Sequence, residues 1–173
     1  MRYLPGLAST VLALALHSQL ALAAPLASAQ TQAAEMAPTF SASRINGETF
    51  DLSQFRGKKP VLLKFWATWC SYCKEEMPHI NARYEKNKGK LEVLTINVGI
   101  NDSVKNVRAL FAKNGYSLPV VFDSDGRLTN LYGVIGTPTH VLIDREGRVK
   151  MRSHLITDQL ETAIETLISA QES

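Results

Sequence analysis

An α/β sandwich, with a mixed central sheet, helices on both faces and an N-terminal β-hairpin, is predicted by three features of this 173-residue sequence. Two apolar runs, Val61 to Phe65 and Leu91 to Val98, have the length and continuity of strands buried on both faces of a sheet. Segments of helical period follow each of them. Near the C-terminus two strand-like runs flank Asp144-Arg145-Glu146-Gly147, the pattern of a hairpin, and an amphipathic helix comes last. Strands that alternate with helices before a terminal hairpin and helix build a sandwich of this kind.

The first strand is expected near Thr39 to Ser43, with a turn at Asn46-Gly47 and a second short strand through Thr49-Phe50-Asp51. Asn-Gly between such runs is a strong hairpin signal. Leu52 to Phe55 reads as a helical turn closed by Gly57, after which Pro60 opens the first buried strand, Val61 to Phe65. A helix then runs to about Asn87 and is ended by Lys88-Gly89. Pro78 falls inside it and cannot bond the carbonyl of Lys74, so a kink is expected that splits the helix into a short and a longer segment. Leu91 to Val98, rich in β-branched residues, is assigned to the sheet centre. Ser103 is the expected N-cap of a helix bearing Val104, Val107, Leu110 and Phe111, stopped at Asn114-Gly115. Leu118 to Phe122 gives a short strand and Arg127 to Tyr132 a short helix, followed by the hairpin of Thr139 to Ile143 and Val149 to Ser153. Asp158 starts the last helix, whose Leu160, Ala163, Ile164, Leu167 and Ile168 form one stripe able to cover a sheet face.

Residues 1–29 read as a secretory signal peptide. Met1-Arg2 gives a positive start, Leu7 to Leu16 an apolar stretch, and Ala21-Leu22-Ala23 and Ala27-Ser28-Ala29 both resemble cleavage sites. The rival, an uncleaved anchor, is interrupted at His17-Ser18-Gln19 and falls short of the roughly 20 residues a spanning helix needs. Residues 30–37 read as a flexible leader, leaving residues 38–173 as one domain with room for a genuine core. Export places the protein in an oxidising compartment, expected to be the periplasm. The formal net charge of +3 demands no nucleic-acid partner. The cluster Arg83, Lys86, Lys88 and Lys90 reads as the solvated end of a helix.

Cys70 and Cys73 are the only cysteines. A strand ending just before Cys70 and a helix starting beside it would put the first sulfur at a helix N-terminus, where free N–H groups favour thiolate. The second thiol lies one turn on, close enough to expel a bound substrate by closing an internal disulfide. Structural zinc lacks a second cysteine pair, and His17, His79, His140 and His154 are scattered. A permanent structural disulfide across so short a loop would remove little unfolded-state entropy. The redox use therefore leads, with no metal and no cofactor beyond the Cys70-Cys73 disulfide.

Phe65-Trp66-Ala67-Thr68-Trp69-Cys70-x-x-Cys73, Pro78 in the helix, and Gly136-Thr137-Pro138-Thr139 before a strand together resemble the thioredoxin-like superfamily. Within it the chain is most similar to the TlpA/ResA-like exported thiol:disulfide reductases, through the leader, the N-terminal hairpin, the stretch Asp51 to Lys58, and the extra helix and strand between Ser103 and Phe122. The resemblance covers about Phe40 to Ser169. It implies a thioredoxin-like fold in which Cys70 is the exposed attacking thiol and Cys73 the buried resolving thiol. It also implies that Pro138 is a cis-proline, so that the backbone of Thr137 can pair with an extended substrate segment. Trp66 and Trp69 would wall the site, although Trp66 fits plain core equally well.

Two departures from relatives stand out. Lys64 occupies the strand position where thioredoxin has a buried aspartate, so the expected acid is Glu76, one turn beyond Cys73, with a raised pKa that lets it take the Cys73 proton. The plainer reading of Glu76 is a solvated acid in the first turns of a helix. Lys64 is either a third player or a snorkelling lysine. Tyr72 stands before the second cysteine where many relatives have proline, placing a ring beside the sulfurs and an N–H able to bond the Cys70 thiolate.

The resemblance implies a reductant of partner-protein disulfides that is recharged by a membrane thiol reductant, with apocytochrome c thiols, a copper-site assembly protein or another periplasmic redox enzyme as targets. A disulfide-donating oxidant would share the motif. A copper-binding assembly factor would use Cys70, Cys73 and His140 or His154. A peroxiredoxin-type peroxidase needs a threonine and arginine motif that Ala67-Thr68-Trp69 does not reproduce. A monomer is expected.

Overall fold

The computed structural model describes residues 35–170, so the segment read as a signal peptide and leader positions 30–34 lie outside the described residues. A hairpin of β1 (Ser41–Ser43) and β2 (Thr49–Asp51) leads through a 3-10 turn at Leu52–Phe55 into β3 (Val61–Trp66), α1 (Ser71–Lys86) and β4 (Glu92–Asn97). Then follow α2 (Val104–Asn114), β5 (Val120–Phe122), α3 (Arg127–Leu131), β6 (Thr139–Ile143), β7 (Val149–Ser153) and α4 (Asp158–Ser169). The main sheet has the order β5-β4-β3-β6-β7; β3, β4 and β5 run parallel, and β6 is antiparallel to both β3 and β7. This is the thioredoxin-like arrangement. The centre belongs to β3, not to the Leu91–Val98 strand, because β6 returns along the free side of β3 while β5 extends the sheet beyond β4. Every residue of β3 and of β4 is nevertheless buried, which is why both read as continuous apolar runs.

Alternation along β3 separates the two faces. Lys64 meets Glu76 of α1 and Trp66 meets Phe111 of α2, whereas Phe65 between them meets Tyr132 after α3. On the Phe65 side the N-terminal hairpin lays down an aromatic row, with Phe40 stacked on Phe50 at 5.6 Å and Phe50 on Phe55 at 5.1 Å. A short bridge to the N-terminal segment shortens the open ladder at each sheet edge. Ile45 N–H donates to Val120 O at 2.9 Å beside β5. At the other edge Met36 bridges Arg148, and Glu35 O accepts from Val149 N–H at 2.7 Å, so the last leader positions, read as flexible, are pinned by the β7 edge.

Helix α1 is continuous through Pro78 and is not split there. One missing N–H removes a single bond, while the helix continues on either side. Arg83, read as part of a solvated cluster, instead ties α1 to α4 through Glu161 and through Glu165 at 2.8 Å, with His79 adding a contact to Glu161 at 2.9 Å. Ser103 caps α2 by accepting from Asn106 N–H at 3.1 Å, and Gly115 ends that helix in the left-handed conformation at φ 67°.

Candidate active site

Cys70 ends the loop that leaves β3 and is the N-cap of α1, with its extended backbone handing over to helix at Ser71. Its Sγ is bonded to Cys73 Sγ and accepts the Cys73 N–H at 3.2 Å. That amide is the donor found at the sulfur in the disulfide form. Sulfur at this position receives the helix dipole and an N–H with no intrahelical partner, both of which favour negative charge. Cys73 is fully buried while Cys70 keeps 6 % of its surface. The accessible edge is therefore that of Cys70, although it is a narrow one rather than the open exposure expected.

Around this edge Trp69 and Tyr72 stand out from the surface, 52 % and 64 % exposed. The Trp69 indole donates from Nε1 to Ile100 O at 2.7 Å, which fixes its ring, whereas Trp66 is wholly buried against Phe111 and belongs to the core. The Thr137–Pro138 peptide bond is cis. Phe65 pairs with Thr139 and Lys64 with His140, so continuing the antiparallel register sets Pro138 opposite Trp66, at the strand end from which the cysteine loop departs.

Asp102, unnoticed in the sequence, clamps that loop. Its carboxylate accepts from Thr68 N–H and Thr68 Oγ1, both at 2.7 Å, from Asn97 Nδ2 at 2.8 Å and from Ser103 N–H at 2.8 Å. Partial burial pushes the Asp102 carboxyl up, but the Thr68 amide and the other donors outweigh it and hold the group below its ordinary value. Gly99 allows the turn that brings Asp102 round: its φ is 72°, and a Cβ there would lie 2.5 Å from Asp123 O. Asp102→Ala is expected to cost about 2 kcal/mol by orphaning these donors. Hydrogen exchange should locate the loosening at Thr68 and Trp69, and unchanged protection there would refute the clamp.

Beneath the cysteines lies a buried triad. Lys64 Nζ sits 2.5 Å from Glu76 Oε2 and 3.2 Å from His140 Nε2, and His140 Nε2 is itself 3.2 Å from Glu76 Oε2. The other carboxylate oxygen, Oε1, accepts the Ile156 N–H at 2.8 Å. Burial pushes the Glu76 carboxyl up, but hydrogen bonds from His140 and Lys64, the Lys64 charge and the Ile156 amide together bring it down to about 2. The raised pKa expected of Glu76 is thus overturned, because the sequence did not reveal that an ammonium and an imidazole converge on it. Burial likewise lowers the basicity of Lys64, and Glu76 offsets this only in part. For His140 burial again leads the downward shift, aided by the Lys64 charge, so the imidazole is neutral at pH 7. Lys64 does not snorkel.

His140, a candidate copper ligand by sequence, is instead committed to Lys64 and Glu76, and His154 Nδ1 lies 3.3 Å from Thr139 Oγ1. Among the described residues no group of three or more His, Cys, Asp or Glu could hold a metal ion. The signal that could have revealed the triad was present: Lys64 and His140 are polar residues set inside the apolar runs of β3 and β6, where a buried charge needs a partner.

A thioredoxin-like sheet, a disulfide at the N-terminus of the helix that follows the central strand, and a cis-proline loop at the same sheet end define a thioredoxin-like domain with a Cys-x-x-Cys disulfide. The chain belongs to the AhpC/TSA family, which matches residues 33–152. It is 40 % identical over 115 residues to the thiol-disulfide oxidoreductase ResA of Geobacillus thermodenitrificans (strain NG80-2), covering 66 % of this chain and 64 % of that protein. With the thiol-disulfide oxidoreductase ResA of Bacillus thuringiensis subsp. konkukian (strain 97-27) it shares 39 % identity over 131 residues, 72 % of each. This chain therefore spans just under two thirds of the first relative's length. The structure of the exposed lipoprotein thioredoxin of Streptococcus pneumoniae strain TIGR4 superposes with a TM-score of 0.65 at 29 % identity, covering 76 % of this chain and 99 % of that one.

Proposed function

We propose that this domain reduces disulfides in partner proteins, using Cys70 to form the mixed disulfide and Cys73 to resolve it. The observation that carries the reading is the asymmetry of the pair: Cys70 is the N-cap sulfur with an accessible edge, and Cys73 is sealed beneath it. Reduced Cys70 attacks a substrate disulfide as thiolate, and one substrate sulfur leaves. Cys73 then attacks Cys70 Sγ, the internal disulfide closes, and the second substrate sulfur departs with the bonding electrons. Trp69 and Tyr72 supply an aromatic rim for the incoming segment, and the Thr137-Pro138 backbone offers it edge hydrogen bonds. Glu76 acts as a fixed anion of the site and not as the base for Cys73.

The reading extends to location and partners through the signal-like leader and the ResA relatives. The protein works outside the cytoplasm, in the periplasm, as a monomer, and a membrane thiol reductant recharges it. Its targets lie in cytochrome c maturation or a related assembly of extracytoplasmic proteins. Trapping tests this. Cys73→Ser is expected to accumulate mixed disulfides through Cys70 that a small dithiol releases, and Cys70→Ser/Cys73→Ser is expected to capture nothing. Equal capture by both variants would refute the assignment. A reduction potential well above that of the compartment would instead make the protein a disulfide donor.

A further inference from the structure

Lys64 has no exposed side-chain surface, and it lies on the central strand under the active-site helix. Its ammonium is one of three donors that close around Glu76: Lys64 from β3, His140 from β6, and the Ile156 N–H from the segment before α4. Both carboxylate oxygens are thereby occupied. Glu76 is also the only triad member whose side chain keeps any contact with solvent, at 11 % exposed, and it lies one helical turn beyond the fully buried Cys73. A carboxyl in this setting without a cation would be driven toward its neutral form by burial, and would then be free to exchange protons with the thiol beside it. The lysine removes that option.

We propose that Lys64 is a positioning residue that locks Glu76 as a permanent anion beneath the redox pair, so that the proton lost when Cys73 closes on the mixed disulfide does not go to Glu76. The step balances without it. The Cys73 thiol gives up a proton, its thiolate forms the Cys70–Cys73 bond, the bond from Cys70 to the substrate sulfur breaks, and the leaving sulfur takes the electron pair and gains a proton. The leaving thiolate, which emerges at the accessible edge of Cys70, is the acceptor. The resolving step then keeps the same Glu76 charge across the range where a buried carboxyl would otherwise titrate.

This inference rests on the exchange reading above, and its first test is independent of exchange activity. Carbon-13 NMR of the Glu76 carboxyl in the full-length protein is expected to show an ionised group from pH 8 to pH 4. In Lys64→Met the midpoint should rise by roughly two pH units or more. The rate at which Cys73 of Lys64→Met resolves a preformed Cys70 mixed disulfide should then vary about tenfold across the new midpoint. Lys64→Met/Glu76→Gln should lose that inflection, and Lys64→Arg should retain the wild-type profile. A wild-type Glu76 that titrates between pH 4 and pH 8 overturns the proposal, as does a Lys64→Met profile that superimposes on wild type. Should Lys64→Met not fold, the wild-type titration alone decides. Absence of exchange in wild type with Glu76 ionised throughout would instead sink the exchange reading.

Discussion

Cys70→Ser is expected to lower thiol–disulfide turnover by at least about a thousandfold, because the remaining thiol, Cys73, is fully buried and out of reach of a substrate disulfide. Cys73→Ser should abolish turnover to a similar extent while leaving the first attack intact. The difference comes from position. Cys70 sits at the helix N-terminus, accepts the Cys73 N–H at 3.2 Å and keeps a sliver of accessible surface, whereas Cys73 has none. In the reduced protein a small alkylating reagent should therefore label Cys70 well before Cys73, and label it fastest above the pKa of a thiol lowered by the helix terminus. Stopped-flow alkylation of each single-cysteine variant reads both quantities. Equal labelling rates for the two thiols would remove the division of labour on which the proposed chemistry depends.

The cysteine pair, the strand that precedes it and the glycine-threonine-proline loop were legible in the sequence because each is a local pattern. Strands β3 and β4 announced themselves by continuous apolar runs, and Ser103 and Gly115 by capping chemistry. What stayed hidden was long-range. Lys64 meets His140 across 76 positions and only through the β3–β6 register, and Thr68 meets Asp102 across 34. Neither separation leaves a periodic trace. The central position of β3 had the same cause, since strand order depends on where β6 returns. The split expected at Pro78 does not occur, and Met77 and Ile80 on either side of it are both buried. The acid–base character of Glu76 has the same long-range origin, since Lys64 and His140 reach it only once β3, β6 and α1 have packed together.

Glu76→Ala is expected to destabilise the fold by about 3 to 4.5 kcal/mol at pH 7, a large part of the roughly 5–15 kcal/mol available to a domain of this size. Removing the carboxylate leaves the Lys64 ammonium fully buried with only the His140 ring nitrogen at 3.2 Å. An unpaired buried charge of this kind costs about 3–5 kcal/mol. The protein can limit the loss by folding with Lys64 deprotonated, and that route has a ceiling: bringing a group of ordinary pKa about 10.4 to its neutral form at pH 7 costs about 4.6 kcal/mol. The sign of the pH dependence follows. In the variant the folded-state pKa of Lys64 falls further below its unfolded value, so the unfolded chain binds more protons between the two, and stability must rise as pH increases through that window up to about 10.4. Wild type should rise less steeply there, because Glu76 offsets part of the downward shift of Lys64. Urea denaturation at several pH values reads both the offset and the slope. Glu76→Gln separates a second contribution, since its amide oxygen can still accept the Ile156 N–H that Glu76→Ala leaves without its acceptor. Lys64→Met/Glu76→Leu should recover most of the lost stability, as apolar replacements of buried ion pairs commonly do, while losing the pH slope. A Glu76→Ala variant that loses under about 1 kcal/mol and keeps the wild-type slope would mean that Lys64 finds its compensation elsewhere, and the triad would then have no hold on the charge beneath the disulfide.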